Sequence, residues 1–134
     1  MIRPLFATAA VLCVAVAGCG SSTSSSTSFK GADHEVAQTI GNLQSYATGN
    51  EAGKICSHVL KASTVQGLGG QSGCEQALKK QLGQVDSFEL STKSVQVSGN
   101  TATAKVESIV SGKKKVQQVS LAKEGSTWKI TSLE

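Results

Sequence analysis

Apolar residues recur at helical spacing through one part of the chain and at strand spacing through the next. Residues 33–48, DHEVAQTIGNLQSYAT, place Val36, Ile40, Leu43 and Ala47 on one face, as an amphipathic helix does. Asp33 is a fitting N-cap and Gly49-Asn50 a fitting stop. Residues 51–62 predict a second helix with an apolar stripe of Ala52, Ile55, Cys56, Val59 and Leu60. Residues 63–73, STVQGLGGQSG, lose the period and predict a mobile loop. Ser72-Gly73-Cys74-Glu75 has the form of a capping box, in which Ser72 covers orphan amides and Glu75 reaches back. It predicts a third helix carrying Cys74, Leu78, Leu82 and Val85, ended or weakened by Gly83.

After Asp86 the period falls to two. Phe88 and Leu90 alternate, and strands are expected near 93–98, 101–110, 114–123 and 127–133. Gly99-Asn100 is a two-residue hairpin signal that pairs Val97 with Ala102 and Val95 with Ala104. A turn at Gly112-Lys113 would pair Val106 with Val119 and Ala104 with Leu121. A third turn falls at Glu124-Gly125-Ser126. One face then collects Val95, Val97, Ala102, Ala104, Val106, Val119, Leu121, Trp128 and Ile130. The other collects Gln96, Thr101, Thr103, Lys105, Glu107, Gln118, Lys129 and Thr131. A sheet with one dry and one wet face is antiparallel and covered on one side. The fold class is therefore α+β, with N-terminal helices packed on one face of a curved antiparallel meander.

The N-terminal residues follow neither pattern. Arg3 and the free amine precede a short apolar run from Leu5 to Val16, and small residues precede Cys19. A run this short falls below the roughly 20 residues a bilayer crossing needs, and the arrangement fits an export signal that is cleaved. Val16-Ala17-Gly18-Cys19 resembles the lipobox of bacterial lipoproteins. That resemblance implies removal of residues 1–18 and a diacylglycerol on Cys19, which makes Cys19 the acylated N-terminus. Such a protein is exported and held on the outer side of the plasma membrane by its lipid, since stable anchoring takes more than one acyl chain. Residues 19–32 are the lipidated cysteine and a Ser/Thr-rich tether, too polar to order itself and about 20 Å in mean reach. Residues 33–134 remain as a single domain.

Composition narrows the function further. The chain has 134 residues and a net charge of +4, and every cation except Arg3 is a lysine. Scattered lysines and few aromatics (Phe6, Phe29, Phe88, Tyr46 and Trp128) point away from nucleic acid. Cys13 leaves with the export signal, and Cys56 and Cys74 remain as an even pair in an exported domain, which favours a disulfide. A metal on Cys56, His58 and Cys74 is the alternative, but residues two apart on a helix diverge, so no metal or cofactor is expected. His34 and His58 fall on polar helix faces. The glycines of 67–73 and of 49–54 complete no phosphate-binding motif. Lys113-Lys114-Lys115 at a hairpin turn either protects a sheet edge or meets an anionic lipid or wall polymer.

Helices followed by a curled meander that ends in SLAKEGSTWKITSLE resemble the nuclear transport factor 2-like superfamily of α+β cones. Leu121, Gly125, Trp128 and Ile130 occupy places comparable to a recurring final-strand pattern of that superfamily. Small exported actinobacterial lipoproteins with this fold and a cysteine pair are especially similar. The superfamily includes isomerases and dehydratases that work with Asp, His, Tyr or Glu inside the cone. None of these falls on the expected inner face of the later strands, so no catalytic residue is assigned and the chain is not expected to be an enzyme. The resemblance implies a binding or interaction domain, whose ligand would be apolar and enter between the helices and the dry sheet face. Tyr46, Val95, Val97, Val106, Leu121 and Trp128 are the candidate lining residues. A cone-fold enzyme with a polar pocket, and an envelope structural or regulatory partner without a small ligand, are the alternatives. A monomer is the expected state.

Overall fold

The structure is a computed structural model, and it describes residues 29–133. The expected export segment, Cys13, Cys19 and the expected tether up to residue 28 lie outside the described residues. Four helical segments precede four strands: α1 Gly31–Thr48, α2 Ala52–Lys54 continuing as a π-helical turn Ile55–Val59, α3 Ala62–Gly67, α4 Gly70–Leu82, β1 Phe88–Ser98, β2 Thr101–Val110, β3 Lys113–Glu124 and β4 Thr127–Leu133. The strands form one antiparallel sheet in chain order, and the helices pack on one face of it. This is the α+β, cone-like arrangement expected from the change of period.

The helix stripes are where the spacing puts them. Val36, Ile40, Leu43 and Ala47 of α1 are buried, as are Ala52, Ile55, Cys56, Val59 and Leu60. They form one core with Ala102, Ala104, Val106, Val119, Leu121, Trp128 and Ile130. Each fully buried Ile, Leu or Val contributes roughly 1.5–3 kcal/mol by leaving water.

Five local expectations are corrected. α1 starts at Gly31, with Lys30 as its N-cap, so it takes in two residues read as tether. The second helix stops early: Leu60 donates to the Ile55 carbonyl, closing a π turn, and then turns extended. From there Lys61 N–H donates to the Ile130 carbonyl at 2.9 Å, and Leu60 pairs with Ile130, so residues 60–64 cover the outer edge of β4. The predicted loop at 63–73 is mostly helix, α3 and the start of α4. Its glycines serve a tight corner, with Gly69 and Gly70 at φ +96 and +79. Ser72 caps nothing, because Gly69 is the N-cap of α4. Glu75 instead accepts from Gln71 Nε2 at 2.7 Å.

The fifth correction is register. Val97 pairs with Ala102 and Val95 with Ala104, as the Gly99-Asn100 turn dictates. The next turn is Ser111-Gly112, with φ +48 and +79, one residue before the expected turn. Ala104 therefore faces Val119, Ala102 faces Leu121, and Val106 faces Gln117. A shift of two preserves which side chains point inward, so the dry face survives the error.

The sheet is bent by two β-bulges, both on edge strands. Lys93 is the extra residue of β1, between Thr92 and Ser94, and Thr131 is the extra residue of β4. The bulge at Lys93 explains why the inward residues of β1 change from even (Phe88, Leu90, Thr92) to odd (Val95, Val97) numbers. An extra residue reverses the alternation and adds local bend.

Candidate functional site

α1 runs the length of the domain, about 27 Å for 18 residues. Near its start, the Trp128 indole N–H donates to Glu35 Oε2 at 3.3 Å, and the Thr39 hydroxyl donates to the Trp128 carbonyl at 3.3 Å. Near its far end, Leu90 N–H donates to Gln44 Oε1 at 2.9 Å, which engages an edge amide of β1. The helix thus lies diagonally under the sheet, from the β3–β4 turn to the start of β1.

The candidate lining residues separate into three places. Val106 and Trp128 are 1% and 2% exposed and belong to the packed core. Val95 is half-buried beside that core. Tyr46 faces α2: its ring centroid lies 6.4 Å from that of His58, and Lys54 Nζ lies 5.5 Å from its own centroid. Lys54 also pairs with Glu51 at 2.6 Å, and that carboxylate raises the ammonium above its ordinary range. Leu121, 2% exposed, also belongs to the packed core and Val97 packs against it, and both in addition border a wide cleft that opens on the opposite side of the sheet.

That cleft, about 660 Å³, lies on the helix-free face. Strand alternation supplies its side chains: Gln96 and Ser98 from β1, Thr101 and Thr103 from β2, Ser120 and Ala122 from β3, and Thr131 from β4. Small hydroxyls and one amide give it hydrogen-bonding groups without bulk. Two of these hydroxyls are internally engaged, Thr101 with the Ser98 carbonyl and Thr131 with the Ser120 carbonyl. Lys105 and Gln118 extend the polar surface along a smaller cleft of about 220 Å³. The arrangement can hold a polar partner by hydrogen bonds across four strands.

The inner face is more polar at its other end than the sequence predicts. Ser108 and Thr92 are buried there, 3% and 8% exposed. The Ser108 hydroxyl reaches the Lys115 carbonyl and Gln117 Oε1, each at 3.3 Å. Every buried side-chain nitrogen and oxygen among the described residues has a partner. Cys56 and Cys74 are joined, Cα to Cα 6.1 Å, and tie the π turn of α2 to α4. His58 is exposed and His34 half-buried. Glu35, Thr39 and Gln44 escaped the sequence reading because each lies within a helix whose partners are strand residues far away in the chain.

No family model matches the chain, and no curated protein matches it. Among solved structures it is similar to Rd1NTF2_05, a designed protein of the nuclear transport factor 2-like type. The two share 12% identity with a TM-score of 0.55, over 76% of this chain and 97% of that one. A de novo designed protein with a curved β-sheet aligns at 12% identity and a TM-score of 0.39, over 48% of this chain and 61% of that one. The first likeness shows the fold: a nuclear transport factor 2-like α+β cone.

Proposed function

We propose that this is an exported bacterial lipoprotein, anchored through an acylated Cys19 to the outer side of the plasma membrane, whose domain is a non-catalytic interaction module. The cone's inner surface would serve as its core, and the partner would meet the helix-free face. The observation that carries this reading is the division of the sheet. Val106, Leu121, Trp128 and Ile130 on the inner side are at most 2% exposed, while a cleft of about 660 Å³ lies on the outer side. The lipobox-like Val16-Ala17-Gly18-Cys19 and the Ser/Thr-rich segment after it support the anchor. With residues 60–64 on the edge of β4, the broad polar face is left as the natural contact surface.

Two measurements test the two halves of the reading. Intact mass of the protein from a bacterial host is expected to show loss of residues 1–18 and a diacylglycerol on Cys19. Retained residues 1–18, or an unmodified Cys19, would contradict the anchor. Native mass spectrometry of the purified domain mixed with membrane lipid extract is expected to show no stoichiometric apolar adduct. A one-to-one adduct would replace the interaction module with a carrier of apolar ligands.

A further inference from the structure

The β2–β3 hairpin carries a feature that the proposed contact face does not use. Its turn, Ser111-Gly112, is followed by Lys113, Lys114 and Lys115, all exposed. Alternation puts Lys113 and Lys115 on one side of the ribbon, in line with Val110 and Ser108, and Lys114 on the other, in line with Ile109. Charge therefore surrounds the ribbon and is not spread over one plane. Lys114 shares Glu107 with Lys93, at 3.4 and 3.9 Å. Lys113 and Lys115 make no ion pair among the described residues. Asp86, whose N–H donates to the Ser111 hydroxyl, and Glu89, opposite Ile109 and so in line with Lys114, are the other acids near the tip.

The tip's position matters as much as its charge. α1 begins by the β3–β4 turn, where Glu35 meets Trp128. It ends by Phe88, with Ala47 and Thr48 in the same cleft. Phe88 pairs with Val110, the residue before the Ser111-Gly112 turn. The lysines thus stand at the opposite end of the domain from the chain's entry at Phe29, about one α1 length away.

We infer that the Lys113–Lys115 tip docks a linear, phosphate-bearing polymer and not the bilayer that holds the anchor. Positive charge on both sides of a slender hairpin complements a flexible polyanion that can wrap it, whereas a bilayer presents one flat plane. Lysine supplies point charges without the planar fork of arginine, which suits a chain of repeated phosphates better than a single shaped carboxylate. The affinity for polyanion stands on the charge alone. Preference over the bilayer rests on the two-sided placement of the charge and, through the N-terminal anchor proposed above, on the tip being the end of the domain remote from the tethered one.

The test uses the full chain and labelled long-chain inorganic polyphosphate, followed by fluorescence anisotropy. Wild-type protein is expected to bind, and to weaken several-fold when salt rises from about 50 to about 200 mM. Substituting Lys113→Gln, Lys114→Gln and Lys115→Gln together is expected to lower affinity at least about tenfold with an unchanged circular dichroism spectrum. Substituting Lys30→Gln and Lys123→Gln at the opposite end removes two charges where the tip variant removes three, and is expected to cost less than about threefold. Equal losses from the two sets, or no binding at all, would overturn the inference. So would binding to vesicles of about 30% anionic lipid that matches or exceeds binding to polyphosphate. An unacylated Cys19 would leave the polyphosphate results untouched, so failure of the anchor and failure of the tip are separable.

Discussion

Gly73 shows how a single position can mislead a sequence reading and still be informative. Within STVQGLGGQSG it looks like one more loop glycine. In the structure it lies in the first turn of α4, so close to the preceding segment that a Cβ would collide with the Leu68 carbonyl oxygen. The glycine lets two helices meet at a corner without a side chain between them. Gly73→Ala is therefore expected to destabilise the domain by roughly 1–3 kcal/mol, the usual cost of overpacking against a backbone that cannot yield. Urea denaturation monitored by circular dichroism measures it, and a loss below a few tenths would show that the corner has room. Trp128 is the opposite case. Its burial was legible from alternation with Ile130. Its hydrogen bond to Glu35 was not, because no local pattern couples residues 93 apart.

At the scale of elements, the informative signal was parity. Phe88, Leu90 and Thr92 point inward at even positions and Val95 and Val97 at odd ones, and only an extra residue reconciles them. Deleting Lys93 is then expected to leave every inward side chain inward. Deleting Gln96 turns Val97 outward and Ser98 inward. The Gln96 deletion should lower the melting temperature by several degrees more than the Lys93 deletion, as scanning calorimetry would show; equal losses would mean that the bulge is required for more than register. The disulfide joins Cys56 and Cys74 across 18 residues of separation. Reduction is expected to cost about 3 kcal/mol in the chain-entropy model, read as a shift of the urea midpoint with and without reductant. A shift near zero would mean that helix packing alone closes this loop. The helix stripes and the first hairpin were legible because each depends on nearby residues. The π turn, the β4 edge cover and the Ser111-Gly112 register were not: all three are decided by residues 60–64 meeting Ile130, or by a turn that two adjacent glycine-containing dipeptides could equally form.

For the whole molecule, the sheet is the scaffold and the helices are layered on it in decreasing order of attachment. β2 is paired on both sides and carries the buried residues Ala102, Ala104 and Val106. α3 is six residues long and has one buried side chain, Val65. Hydrogen exchange is accordingly expected to be slowest at the β2 amides and fastest in α3 and the Ser111-Gly112 tip; protection in α3 equal to that in β2 would mean that the domain opens only as a unit. The overall class was legible because periodicity and alternation are global averages that survive local errors. The proposed contact face was not, since a row of Thr, Ser and Gln looks the same whether it meets water or a partner. The diagonal course of α1 has a mechanical consequence. The helix is bound to β4 through Glu35 and Thr39 near its start and to β1 through Gln44 near its end. A pull applied at Phe29 along the helix axis loads these bonds in parallel, as shear, and cannot peel them one at a time. Under the N-terminal anchor proposed above, tension entering at Phe29 would therefore be shared by both ends of α1.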